Sequence, residues 1–332
     1  SPSTCWHPPP PHAGSGVIAA SDMEAVPTGK YYATWHGHEV KYLERILRNM
    51  KARHGCVIYL AGDSSLDNKY WLEDEEEAVN GFEQTLNPPT MKADVCYWLN
   101  YLLTQHSQVG GSSAFALNTS VEATTLGQRT PGWFSGGLLA QDEVIRDNIT
   151  PNDYLIVSIG GNDIALAPTA ATVASMLGMV YLSSAEAISE GAAWGSSHLL
   201  HLFGSQLQSY IERLVEKQKA KKVLVCMIYY PDVNGEGWAD TALSALKYNS
   251  EPARLQGAIS AVFEHAVSKI KIEGTEVVPV PLFRVLDGGC SEDYVARVEP
   301  SEQGGRKMAE AFLQALFGGA TAGRPASADA GR

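Results

Sequence analysis

Short apolar runs alternate with amphipathic helical patterns through the middle of the chain, and this alternation restricts the possible folds more than any other feature. Val40, Leu43, Leu47 and Met50 recur at the spacing of one helix face. The run 154–159 is almost entirely apolar, as in a strand buried on both faces. Further patterns predict helices over 95–103, 206–218, 255–270 and 307–316, and strands over 56–60, 114–117, 223–228 and 277–280. We therefore predict an α/β protein, a three-layer α/β/α sandwich with about five mainly parallel strands.

One domain is the simplest organisation for this pattern, because nothing repeats internally and no long linker divides the middle. We expect residues 31–319 to form it. Residues 1–30 contain four consecutive prolines and lack periodicity, so we expect an extended N-terminal arm. Residues 320–332 are rich in Ala, Gly and Ser and are expected to be a flexible tail. The stretch 170–205 resembles an insertion whose helices would cap a site.

The composition argues against several classes of function. Hydrophobic residues make up 45% of the chain and charged residues 19%, values typical of a folded soluble protein. The net charge of −12 repels phosphate backbones, so nucleic acid is not expected as a partner. The sequence holds no apolar run long enough for a membrane span, and we expect a soluble protein, with the cytoplasm favoured. The five cysteines lack CxxC spacing, which argues against a disulfide scaffold or a zinc cluster. The sequence leaves the oligomeric state open.

A serine follows the first predicted strand, in the run Gly62-Asp63-Ser64. Open parallel sheets bind ligands at the carboxyl ends of their strands, and Gly62 permits the tight turn needed there. Ser64 is therefore a candidate nucleophile. The alternative is that Asp63 or Ser64 only caps the helix that follows.

The next two predicted strands also end in residues that suit acyl chemistry. Gly160-Gly161-Asn162-Asp163 follows the third strand, and the Asn162 amide would donate to an oxyanion. The alternative for this run is a plain backbone turn. The second strand ends at Asn118, and a backbone amide in the segment up to Ala123 would supply a further donor.

Together these motifs resemble the GDSL, or SGNH, hydrolases. Gly62-Asp63-Ser64 is similar to the first block of the family, although Ser65 intrudes before Leu66, and 160–163 matches the third block. The resemblance implies a flavodoxin-like fold and an esterase that forms an acyl-enzyme on Ser64, with Asn162 in the oxyanion hole. Ala123 stands near the position where the family supplies a glycine amide. The implied substrate is a small-molecule acyl ester or a lipid-like ester, and no cofactor is implied.

The chain departs from the family near its C-terminus. The family has Asp-x-x-His-Pro there, whereas this chain has Ala296 in place of the aspartate and Glu299 in place of the histidine. In one explanation Glu299 is the base, with a pKa raised by burial and by nearby Asp287 and Asp293. In a second, a histidine from elsewhere substitutes. In a third, the chain binds a ligand without hydrolysis, and an acyltransferase remains a further alternative.

Topology reduces the number of histidines that could replace the missing one. His54 and His106 immediately precede strands or close the helices that lead into them, so they are expected at the wrong edge of the sheet. The candidates at the catalytic edge are four: His36, His38, His198 and His201. The pair in His36-Gly-His38 lacks a third ligand at readable spacing, so no metal site is predicted.

Two further groups of residues have both a structural and a functional interpretation. The acidic run 73–77 is expected to be a solvated helix face. The alternative is calcium binding, for which the run lacks the spacing of a calcium-binding loop. Aromatic side chains most often belong to the core, but four tryptophans are candidates to line an acyl pocket: Trp71, Trp133, Trp194 and Trp238.

Overall fold

The computed structural model describes residues 24–105, 113–131, 136–193 and 195–318. In chain order the strands are β1 (Val26–Pro27), β2 (Cys56–Gly62), β3 (Glu75–Glu77), β4 (Leu86–Asn87), β5 (Thr90–Lys92), β6 (Ala114–Asn118), β7 (Tyr154–Ser158), β8 (Lys222–Met227), β9 (Glu276–Pro281), β10 (Tyr294–Val295) and β11 (Glu299–Pro300). The α-helices are α1 (Thr28–Tyr31), α2 (Val40–Lys51), α3 (Val95–Gln105), α4 (Ala140–Asn148), α5 (Gly161–Ala165), α6 (Ala170–Leu177), α7 (Ala185–Ser189), α8 (Ser196–His201), α9 (Leu207–Leu214), α10 (Asp240–Ala245), α11 (Pro252–His265) and α12 (Glu302–Phe317).

Five strands form one parallel sheet in the order β6-β2-β7-β8-β9. Renumbered by their place in the sheet, this order is 2-1-3-4-5, the flavodoxin-like arrangement. The fully buried strands β2, β6 and β7 explain the continuous apolar runs in the sequence. The predicted fold class is confirmed.

Helices cover both faces of this sheet. Along β2, Val57 and Tyr59 face the core that includes α2, α4, α9 and α11. Ile58 and Leu60 face the opposite core, which is formed with α3 and α12. Neighbouring residues of a strand point to opposite faces, so one apolar run serves two helix layers.

The point where the strand order reverses lies between β2 and β7. In such sheets the reversal opens a crevice at the carboxyl ends of the two strands. Gly62 at the end of β2 pairs with Ser158 at the end of β7, so both loops leave the sheet at the same level. The topology therefore brings the loops after β2 and β7 together.

The structure describes only part of the expected terminal segments, and it corrects the prediction for the acidic run 73–77. Residues 1–23 of the expected arm and all of the expected tail lie outside the described residues, while β1 pairs with β4. The prediction that the acidic run is a helix face is wrong, because β3 pairs antiparallel with β5. In that pair Glu75 lies opposite Lys92, and opposite charges across two strands stabilise the pairing. Within the described residues no helix is long and apolar enough to cross a membrane.

Candidate active site

The turn after β2 is built around a glycine that has no substitute. Gly62 has φ 150°, and a Cβ at this position would lie 1.8 Å from the carbonyl oxygen of Ser158. Any other residue would therefore separate β2 from β7. The glycine of the motif allows the chain to turn sharply at the sheet edge, directly before Ser64.

Asp63 fixes the shape of this turn. Its Oδ1 accepts hydrogen bonds from the Ser65 amide (3.1 Å) and the Ser65 hydroxyl (2.8 Å), and its Oδ2 accepts one from the Gly160 amide (3.2 Å). The Ser65 hydroxyl also lies 2.7 Å from the Ser158 hydroxyl. Ser65 is therefore held in a buried network, although it lines the same cavity as Ser64.

Asn162 lies in α5, directly after the end of β7. Its Nδ2 donates a hydrogen bond of 3.0 Å to the carbonyl oxygen of Thr124. Asp163 accepts from the amides of Leu126 (2.7 Å) and Gly127 (2.9 Å), so α5 holds the loop after β6 by both side chains. In that loop Ala123 has φ 57°, a left-handed conformation that favours glycine. Ala123 does not line the cavity described below.

Glu299 lies on β11 and is only 2% exposed. Its neighbours on either side are fixed, because Tyr229 donates to the Val298 carbonyl (2.8 Å) and Asn68 donates to the Pro300 carbonyl (3.0 Å). Oε1 of Glu299 accepts a hydrogen bond of 3.0 Å from Nε1 of Trp238. Oε2 is buried and has no hydrogen-bond partner among the described residues.

Burial raises the pKa of Glu299 to about 7, and the nearby Ser64 hydroxyl and the hydrogen bond from Trp238 oppose this effect. The charges of Asp63 and Asp67 raise this pKa further. We expected this effect from Asp287 and Asp293 instead. Asp293 instead forms an ion pair of 2.7 Å with Lys307, and Asp287 accepts a hydrogen bond of 2.9 Å from the Gly289 amide.

Ser64, Asn162 and Glu299 line one cavity, which we call the Ser64 cavity. It encloses about 90 Å³. Its polar groups lie at the strand ends, and its apolar wall comes from several elements, chiefly α10 and α11. The apolar residues that line it are Ile164, Ala165, Ile228, Pro231, Ala239, Ala242, Leu243, Leu246, Leu255, Ile259 and Val298. The cavity therefore combines a hydroxyl and a carboxyl group with a hydrocarbon surface.

A second buried carboxyl group lies near the first. Glu122 is 3% exposed. Its Oε1 accepts a hydrogen bond of 2.9 Å from Nε1 of Trp71, whereas its buried Oε2 has no hydrogen-bond partner among the described residues. Burial raises the pKa of Glu122 to about 8, and the charges of Asp67 and Glu299 raise it further. Sequence analysis missed this residue, because nothing in the pattern after Asn118 marks it as buried.

None of the four candidate histidines lines the Ser64 cavity, and each contacts other residues. His36 lies 2.9 Å from the Glu122 carbonyl, and His38 is buried and stacked on Tyr31. His198 lies 3.0 Å from the hydroxyl of Thr172, and His201 lies 2.7 Å from that of Ser205. Local hydrogen bonds hold these four side chains in place. Their positions give no support to the hypothesis that one of them acts on Ser64.

Of the four tryptophans, Trp238 lines the Ser64 cavity and Trp71 holds Glu122. Trp133 and Trp194 lie outside the described residues, as does His106. Within the described ranges no cluster of three or more His, Cys, Asp or Glu side chains could hold a metal ion.

No family model and no curated protein matches the chain. Solved structures similar to it include a variant of an acetyl xylan esterase from Geobacillus stearothermophilus, with 18% identity over 80% of this chain and 96% of that one, and a TM-score of 0.44. An α/β hydrolase from the metagenome of Lake Arreo has 16% identity over 80% and 96%, with a TM-score of 0.40. A member of the lipolytic G-D-S-L family from Veillonella parvula has 14% identity over 78% and 97%, with a TM-score of 0.39. These similarities are too distant to carry an argument about the site. The assignment of the fold rests on the order of the five parallel strands and the two helix layers.

Proposed function

We propose that this chain is a serine hydrolase of the SGNH type, which cleaves an acyl ester through an acyl-enzyme on Ser64, with Glu299 as the base. The observation that carries the proposal is that Ser64, Asn162 and the buried carboxyl group of Glu299 line the same cavity. A hydroxyl becomes nucleophilic when an adjacent group accepts its proton.

Glu299 accepts a proton and then donates it in each of the two half-reactions. Glu299 as carboxylate takes the Ser64 proton while the serine oxygen bonds to the ester carbonyl carbon. The protonated Glu299 then gives this proton to the alcohol oxygen as the ester C–O bond breaks. In the second half, Glu299 takes a proton from water as the water oxygen bonds to the acyl carbon. The protonated Glu299 then returns this proton to the Ser64 oxygen as the acyl–oxygen bond breaks, which releases the acid and restores both residues. A pKa of about 7 suits a group that must both accept and donate a proton near neutrality.

Asn162 stabilises the oxyanion in this scheme. An amide nitrogen carries two hydrogens, and the bond to the Thr124 carbonyl uses one, so one remains for the substrate. The Ser64 amide and an amide near Ala123 are the proposed further donors. Removing one such donor costs roughly 100- to 1,000-fold in rate in hydrolases of this kind.

In this proposal the apolar wall of the Ser64 cavity binds the acyl chain of the ester. Leu243, Leu246, Leu255 and Ile259 present hydrocarbon to the cavity. Each buried CH₂ group of an acyl chain contributes about 0.8 kcal/mol of binding free energy. We therefore propose that aliphatic acyl esters are better substrates than acetyl esters.

A fluorophosphonate probe tests the nucleophile, since it labels only activated serines. We expect the unaltered chain to be labelled at Ser64 and to hydrolyse p-nitrophenyl esters, and Ser64→Ala to do neither. Glu299→Gln keeps an oxygen for Trp238 but cannot take the proton, so we expect a loss of roughly 100- to 10,000-fold in kcat. A folded chain without labelling would be a non-catalytic binding protein. Unchanged turnover in Glu299→Gln would remove Glu299 from the mechanism.

A further inference from the structure

One stretch of the chain combines surface exposure with a complete lack of charge. From Ile164 to Ala185 the sequence contains no Asp, Glu, Lys, Arg or His, although the whole chain carries a net charge of −12. This stretch runs from α5 through α6 and a π-helical turn, Gly178–Leu182. A surface segment of an acidic protein ordinarily carries charges, so this one is set apart by its composition.

Five large apolar side chains of this stretch are exposed, and we call them the apolar patch. Their exposed fractions are Leu166 46%, Val173 43%, Leu177 38%, Tyr181 48% and Leu182 73%. They account for most of the large exposed hydrophobic side chains among the described residues. Single exposed apolar residues need no explanation, but a group that follows one segment marks an interaction surface.

The apolar patch is continuous with the wall of the Ser64 cavity. At one end, Ile164 and Ala165 line the cavity directly before Leu166. At the other end, the Tyr181 hydroxyl donates a hydrogen bond of 3.0 Å to the carbonyl oxygen of Ala245, the last residue of α10. Helix α11 is attached in the same way, because Arg254 donates 2.8 Å to the Val180 carbonyl. The segment thus lies on the two helices that form the cavity wall.

The charges around the patch indicate which surface it fits. Lys247 and Arg254 both form ion pairs with Glu251, at 3.5 and 2.7 Å, so neither stands alone at the edge of the patch. The net charge of −12 repels an anionic surface. A zwitterionic lipid surface imposes no such repulsion and accepts exposed Leu, Val and Tyr side chains at its interface.

We propose that the apolar patch docks the protein on a zwitterionic lipid surface, so that the Ser64 cavity opens towards water-insoluble acyl esters held there. The docking is inferred from the apolar patch alone. The further statement that the substrate is an ester held at the lipid interface rests on the proposed function. Leu182 and Val173 enter the interface, and an acyl chain passes from the lipid into the cavity along Ile164 and α10.

Vesicle flotation tests the docking without catalysis. We expect the full chain and Ser64→Ala to float with phosphatidylcholine vesicles. The double variant Val173→Asp/Leu182→Asp should lose at least tenfold in binding. The matched control Asn152→Asp/Gln218→Asp adds the same two charges at exposed positions outside the patch and should bind like the unaltered chain. Circular dichroism melts check that both double variants are folded.

Activity then separates the docking from the hydrolysis. We expect the patch variant to keep its rate on a soluble p-nitrophenyl butyrate and to lose at least fivefold on an emulsified long-chain ester. Three results would overturn the docking: no flotation of the unaltered chain, flotation only with anionic vesicles, or a dimer in light scattering that the patch variant abolishes. Flotation without any ester hydrolysis would instead contradict the proposed function and leave the docking intact.

Discussion

The indole Nε1 of Trp238 donates a hydrogen bond of 3.0 Å to Oε1 of Glu299, while the other oxygen of this buried carboxyl group has no hydrogen-bond partner among the described residues. The indole fixes the direction of the carboxyl group without supplying a charge. In the proposed mechanism this second oxygen would take the proton of Ser64. This arrangement differs from a histidine oriented by an aspartate, because a neutral donor orients a group that itself carries the charge.

Trp238→Phe should shift the pH profile of the reaction. The hydrogen bond from Trp238 lowers the pKa of Glu299, so its loss raises that pKa, and the base is ionised only at higher pH. Bonds to charged groups contribute about 1.5–3 kcal/mol, which predicts an upward shift of the acid limb of kcat/KM by roughly one to two pH units. A measured limb that stays in place would show that a group other than Glu299 governs it.

Ser65→Ala should separate the roles of the two adjacent serines. The Ser65 hydroxyl bonds to Asp63 and lies beside the Ser158 hydroxyl in a buried network, so its removal leaves partners unsatisfied. We expect a loss of about 1–3 kcal/mol in the free energy of unfolding in urea. Fluorophosphonate labelling should persist in Ser65→Ala and vanish in Ser64→Ala. The reverse pattern would assign the nucleophile to Ser65.

Ala123→Gly should stabilise the loop after β6. The φ of 57° costs a residue with a Cβ about 1–2 kcal/mol, whereas the added chain entropy of glycine costs about 0.4–1 kcal/mol. The difference predicts a gain of about 0 to 1.6 kcal/mol in the free energy of unfolding in urea. The same substitution inside α12, Ala315→Gly, should lose about 1 kcal/mol because a helical residue there needs no positive φ. Equal losses in both variants would refute the strain at Ala123.

Much of the site follows from local sequence patterns. Apolar runs fix the five parallel strands, and the polar residues that follow β2 and β7 then have to meet at one edge of the sheet. For this reason the sequence indicates Ser64 and Asn162 without any knowledge of their contacts. Glu299 was indicated only by its place in a motif.

Contacts between distant loops could not be predicted in this way. Trp238 and Glu299 are 61 residues apart, and no periodicity connects the two loops that carry them. The short helix α10 has too few residues to show an amphipathic pattern, so the wall it forms was missed. The acidic run 73–77 could not be predicted from its composition either. Part of it is a strand because it pairs with β5, and the composition of the run does not indicate that pairing.

Glu122→Gln should change how stability depends on pH. In the folded protein burial raises the pKa of Glu122 from its ordinary 4.5 to about 8, so the folded state retains a proton that the unfolded chain releases. The stability that this proton contributes is complete below about pH 4.5 and is lost as the pH rises through 8. Glutamine keeps the acceptor for Trp71 and has no proton to lose, so the variant should become more stable relative to the unaltered chain between pH 5 and 8. Urea unfolding at pH 5, 6.5 and 8 measures this, with the exposed Glu273→Gln as the control that should show no such trend. A difference between Glu122→Gln and the unaltered chain that is the same at all three pH values would mean that Glu122 is not a buried, protonated carboxyl group.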